Sequence, residues 1–92
     1  MRATRHFLHR AASRGLRAEV FDFIIAFGDE WLGYGMRFVT ILERRLPPGL
    51  SHQMIERARG WVIVMGENDI LVTCYRGQQP QRQIARNYKH AA

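Results

Sequence analysis

His6, His9, Arg10, Ser13 and Arg14 have the spacing of side chains that share one side of a helix. His6 and Arg10 stand four apart, Arg10 and Arg14 repeat that interval, and His6 and His9 stand three apart, so all are surface neighbours in helical geometry. A histidine beside arginines suits phosphodiester cleavage. The imidazole moves a proton at near-neutral pH, and guanidinium groups stabilise the charge that grows on the phosphoryl oxygens. The same residues also describe the wet face of an amphipathic helix.

A second group is Thr73, Tyr75 and Arg76, at the end of an apolar run. In a strand alternate side chains share a face, so Thr73 and Tyr75 point together and Cys74 points the other way. A hydroxyl, a phenol and a guanidinium together suit one phosphate and one base. Further on, Arg82, Arg86 and Lys89 surround Tyr88, a set that can bind phosphates and stack on a base. Glu43, Arg44, Arg45, Arg57 and Arg59 either pair with one another or face solvent.

Other chemistries lack their residues. His6 and His9 could reach one ion, but no Cys, Asp or Glu lies near them, and zinc takes three or four protein ligands. There is no glycine-rich phosphate loop, no nucleophile elbow and no paired cysteine motif. No metal and no cofactor is expected. Cys74 is the only cysteine, so no intrachain disulfide forms, and on an apolar strand it is a poor nucleophile.

The elements that must position these groups follow from periodicity. Phe7, Leu8, Ala11 and Ala12 make an apolar stripe between an N-cap at Thr4 and a stop at Gly15. Val20, Phe23, Ile24 and Phe27 fall at i, i+3, i+4 and i+7 and predict a second helix, ended by Gly28. Asp29 and Glu30 read as a turn, and Gly33 and Gly35 flank Tyr34 in a loop or bulge. Met36 to Leu42 reads as a strand and Ser51 to Arg59 as a short helix. Trp61 to Met65 and Ile70 to Tyr75, joined by the polar turn Gly66 to Asp69, predict a β-hairpin. Both runs are apolar on both faces, which places this hairpin centrally, with helices packed on at least one side. The result is an α+β domain with a small antiparallel sheet over residues 1–76. Residues 77–92 read as a basic polar tail, in which Ile84 to His90 is either a short helix or mobile.

The 92 residues have room for one domain, and a hydrophobic content of 47% is enough for a packed interior. Lys and Arg number 14 against 8 Asp and Glu, a formal net charge of +6. Lys89 is the only lysine, and arginine is the better phosphate ligand because its planar fork donates two parallel hydrogen bonds. No acid precedes Glu19 and none follows Asp69, an uneven distribution that points to an anionic partner such as RNA or another nucleic acid. The basic N-terminal stretch lacks the apolar run of a signal peptide. The longest apolar run, Phe23 to Phe27, is far short of the roughly 20 residues a membrane helix needs. A cytoplasmic protein without membrane contact is expected.

His6 with Arg10, then Ser13-Arg14-Gly15-Leu16 and a helix ending at Phe27-Gly28, open the chain. Trp61-Val62-Ile63-Val64 and Ile70-Leu71-Val72-Thr73-Cys74-Tyr75-Arg76, on either side of the turn Glu67-Asn68-Asp69, close its core. Over residues 4 to 76 this resembles short bacterial domains of the Barnase–EndoU–colicin–RelE group of ribonuclease-like folds. Many members of that group are toxins that cut RNA without a metal. The resemblance implies two N-terminal helices packed on a four-stranded antiparallel sheet, with the active surface made by the first helix and the sheet face. Carried over by position, His6 or His9 is the acid–base residue, Arg10 and Arg14 hold the phosphate, and Thr73 and Tyr75 complete the site. The implied reaction is attack of a ribose 2′-hydroxyl on the adjacent phosphate, and the implied protein partner is of antitoxin type. No His–Glu pair of the barnase kind is evident, and fold does not fix function. Two rivals stand beside the ribonuclease: a catalytically silent module that binds nucleic acid or protein, and a homodimer formed through the edge of the apolar hairpin.

Overall fold

In a computed structural model, which describes residues 1–91, the chain folds into four helices and a five-stranded antiparallel sheet. Helix α1 spans Arg5–Arg14 and α2 spans Ala18–Phe27. Thr4 caps α1 through its side-chain oxygen, which accepts from the Phe7 N–H at 3.0 Å, and Gly15 ends the helix at φ 76°. Strands β1 (Asp29–Gly33) and β2 (Met36–Thr40) form a hairpin closed by Tyr34 and Gly35. A single 3-10 turn at Glu43–Arg45 leads to α3 (His52–Ala58), capped by Ser51. Strands β3 (Trp61–Met65) and β4 (Leu71–Arg76) form a second hairpin, then α4 (Pro80–Asn87) and β5 (Lys89–Ala91) complete the fold.

The strand order is β4-β3-β2-β1-β5. Helices α1, α2 and α3 cover one face, where Phe7, Val20 and Ile24 pack on Val39, Ile63 and Cys74. Helix α4 covers the other, where Ile84 and Tyr88 pack with Trp31, Val62, Val64 and Phe38. Strand β3 is buried along its whole length because it has a strand on each side and a helical layer on each face. Thr40, the buried polar residue of the core, donates its hydroxyl to the Trp61 carbonyl at 2.7 Å.

Four expectations change. Asp29 and Glu30 do not turn the chain but begin β1, because each carboxylate finds an arginine there: Asp29 meets Arg45 and Glu30 meets Arg37. The sheet has five strands rather than four, and residues 80–91 are no tail, since Ile84 is buried in the core and β5 pairs with β1. Ala92, the last residue of the expected tail, lies outside the described residues. The β3–β4 hairpin is not wholly central, for β4 is an edge strand. That edge is shielded at Leu71, whose N–H donates to the Arg2 carbonyl at 2.7 Å and whose carbonyl accepts from Thr4 at 2.9 Å. No helix among the described residues is long and apolar enough to cross a membrane.

Candidate nucleic-acid interface

Helix α1 lies along β4. The register decides which side chains meet. Cys74 is opposite Ile63 and Arg76 opposite Trp61, on the α1 side of the sheet. Thr73 is opposite Val64 and Tyr75 opposite Val62, on the α4 side. The expected groove that joins His6, His9, Arg10 and Arg14 to Thr73 and Tyr75 therefore does not form: the sheet separates the two sets. His6 and His9 are exposed, and neither has a hydrogen-bond or ion-pair partner among the described residues. Arg10 is half-buried, with its Nε out of contact with water and without a hydrogen-bond partner. Burial pushes the Cys74 thiol up, against the smaller opposing pull of Arg10 and Arg14.

Thr73 and Tyr75 instead share their face with α4. There Tyr75, Gln79, Pro80, Arg82, Gln83 and Arg86 line a cleft of about 590 Å³. Arg82 and Arg86 stand one helical turn apart. Burial, with the Tyr88 phenol beside it, raises the pKa of Tyr75, so its hydroxyl stays protonated at physiological pH. Arg82 also borders a larger hollow of about 840 Å³ that it shares with Arg44, Gln78 and Gln81.

Of the four expected nucleic-acid ligands, Arg82 and Arg86 come together. Arg76 borders the larger hollow with Arg82, beside Glu43 and Glu56, but its guanidinium is engaged: its Nε donates to the Arg59 carbonyl at 3.0 Å and its Nη2 to the Glu56 carbonyl at 3.2 Å, over the Trp61 ring. Lys89 is registered against Leu32 and shares that residue's side of the sheet, away from α4.

The ion pairs account for where free charge remains. Arg37, Arg45, Arg57 and Arg59 take up the carboxylates of Glu19, Asp29, Glu30, Glu43, Glu56 and Asp69. Neither Arg82 nor Arg86, and none of Arg2, Arg5, Arg14 and Arg17 around α1, has an acidic partner among the described residues. Positive charge is thus free on both faces, but only the α4 face combines it with tyrosines.

One group escaped the sequence. His90 Nε2 lies 2.5 Å from Asp29 Oδ2, and Arg45 Nε lies 2.7 Å from the same oxygen. Asp29 is nearly buried, with 11% of its side chain exposed, His90 keeps 31%, and the imidazole packs tilted on Trp31 at 4.9 Å. A carboxylate that orients an imidazole and sets its tautomer is one arrangement that histidine bases use. Tyr88 and His90, two apart after the end of a helix, carry the strand period that would have flagged β5. A scan of the chain against known protein families finds no match, and searches of curated proteins and of solved structures return none.

Proposed function

We propose that this is an RNA-directed, RelE-like protein that holds single-stranded RNA in the cleft between β4 and α4. The observation that carries this reading is the pairing of the unpartnered Arg82 and Arg86 with the neutral, half-buried Tyr75 in one cleft. Arginines one turn apart suit successive phosphates, and an aromatic ring suits a base without regard to its identity. Fluorescence anisotropy with a single-stranded RNA oligonucleotide tests it. Binding should weaken steeply with salt, and the Arg82→Ala/Arg86→Ala double variant should lower both affinity and salt slope. No binding by the wild type at low salt refutes the reading.

A cleaving reading would take its base from the His90–Asp29 pair, at the far edge of the sheet from β4, so that the bound strand would have to cross the α4 face to reach it. In the reaction of the RelE type, the imidazole takes the proton of a ribose 2′-hydroxyl, whose oxygen attacks the adjacent phosphorus. The bond from phosphorus to the 5′-oxygen breaks, leaving a 2′,3′-cyclic phosphate, and the 5′-oxygen takes up a proton. Guanidinium groups stabilise the extra charge on the phosphoryl oxygens during this step. Incubation of RNA with chelator and with His90→Ala, Asp29→Asn or His6→Ala/His9→Ala protein separates the choices. Cleavage lost in the first two and kept in the third assigns the base to β5, the reverse assigns it to α1, and binding without cleavage leaves the silent module.

A further inference from the structure

Tyr34 is an unusual residue for its place. It is the first of the two residues that close the β1–β2 hairpin, at φ 55°, and Gly35 follows at φ 73°. Two successive positive φ values are the signature of the hairpin turn that Asn-Gly fills with least strain, because a bulky side chain crowds its own backbone in that region. The ring is also 88% exposed. Neither turn chemistry nor burial accounts for a tyrosine here.

The ring is nevertheless held. It stands edge-on to Tyr88, with centroids 5.9 Å apart and planes at 88°, and Tyr88 in turn lies tilted on Phe38 at 4.3 Å. Gly33 makes the seat for Tyr88: a Cβ at that position would lie 2.6 Å from the Tyr88 ring. A flat aromatic surface is therefore fixed at the tip of the hairpin and left open to solvent.

On the reading of the α4 cleft as an RNA site, we propose that Tyr34 is a stacking site for an unpaired nucleobase, at the far end of the strand that Tyr75, Arg82 and Arg86 hold. Tyr88 touches Tyr34 and joins Tyr75 in the apolar cluster of the α4 face, so the tyrosines form a broken row across the sheet. By register Tyr75 stands level with Thr40 and Asp29, five residues along β1 from Tyr34, so the path from the cleft to the tip crosses two or three strand spacings and runs some five residues along them, roughly 20 Å, a span of a few nucleotides. The Glu67 carboxylate lies beside Gly35, within 3.9 Å of where a Cβ would be, so the tip repels a phosphate and accepts a base with its amino hydrogens. A single planar ring, rather than a broad apolar patch, fits a base better than a protein surface.

The Tyr34→Asn variant tests this, because asparagine is the residue the turn prefers. Its thermal midpoint should equal or exceed that of the wild type, while affinity for a single-stranded RNA oligonucleotide falls about tenfold. Tyr34→Trp should keep that affinity, and binding to an RNA duplex of the same sequence should not change. Unchanged single-strand affinity in Tyr34→Asn overturns the stacking site and leaves the cleft reading intact. A lower thermal midpoint makes the ring structural, and an equal loss on the duplex makes it a backbone contact, so either result overturns the inference. Failure of the wild type to bind single-stranded RNA removes the cleft reading and this inference together.

Discussion

At the scale of single residues, the backbone sets the sharpest constraints. Gly60 has φ 82°, and a Cβ there would lie 2.3 Å from the Gly77 carbonyl oxygen, whose own amide donates to the Gly60 carbonyl. Gly60→Ala should therefore lower stability by at least about 1 kcal/mol in a urea titration. Cys74 is fully buried with its thiol pushed up by burial, so a thiol reagent should label it only after denaturant is added. The alternation of Thr73, Cys74 and Tyr75 was legible in the sequence, because strand geometry alone requires it. Which of the two faces α1 would cover was not. That depends on long-range packing, in which Cys74 and Leu71, rather than the hydroxyl-bearing residues, join Phe7 in the core. Only coordinates could separate the histidines of α1 from Tyr75.

At the scale of elements, legibility followed locality. Helix α1 carries its own start and stop, and the β3 and β4 runs announce themselves by composition. Strands β1 and β5 do not: β1 opens on two acids, Asp29 and Glu30, that read as a turn until Arg45 and Arg37 neutralise them in the folded chain, and β5 exists only against β1. Thr4 shows how one side chain can couple elements. Its hydroxyl accepts from Phe7 at the start of α1 and donates to the Val72 carbonyl at 2.9 Å. Thr4→Ala should cost about 1 kcal/mol for the cap and a further increment for the lost bond to β4, whereas Thr4→Ser should recover most of the loss. Chemical denaturation of the three proteins is the measurement.

At the scale of the whole molecule, acid should lower stability through its ion pairs. Glu43 is held below the ordinary carboxylate value by Arg59, and Glu19 by its own backbone hydrogen bond and then by Arg57. Both bind protons more weakly in the folded chain than in the unfolded one. Their contribution is thus complete above the ordinary value of 4.5 and is lost as pH falls through the lowered one. A urea midpoint that is level near neutrality and declines below that value is expected. The strap formed by α4 and β5 has another consequence. It closes a contact between positions 61 residues apart in sequence, His90 and Asp29, with only a short strand and one helix to hold it. Such a unit can detach while β2, β3 and β4 stay paired. Amide protons of β1 that point to β5 should then exchange with deuterium faster than those of β3. An oligonucleotide lodged between α4 and β4 should slow that exchange, because it would bind only the latched form.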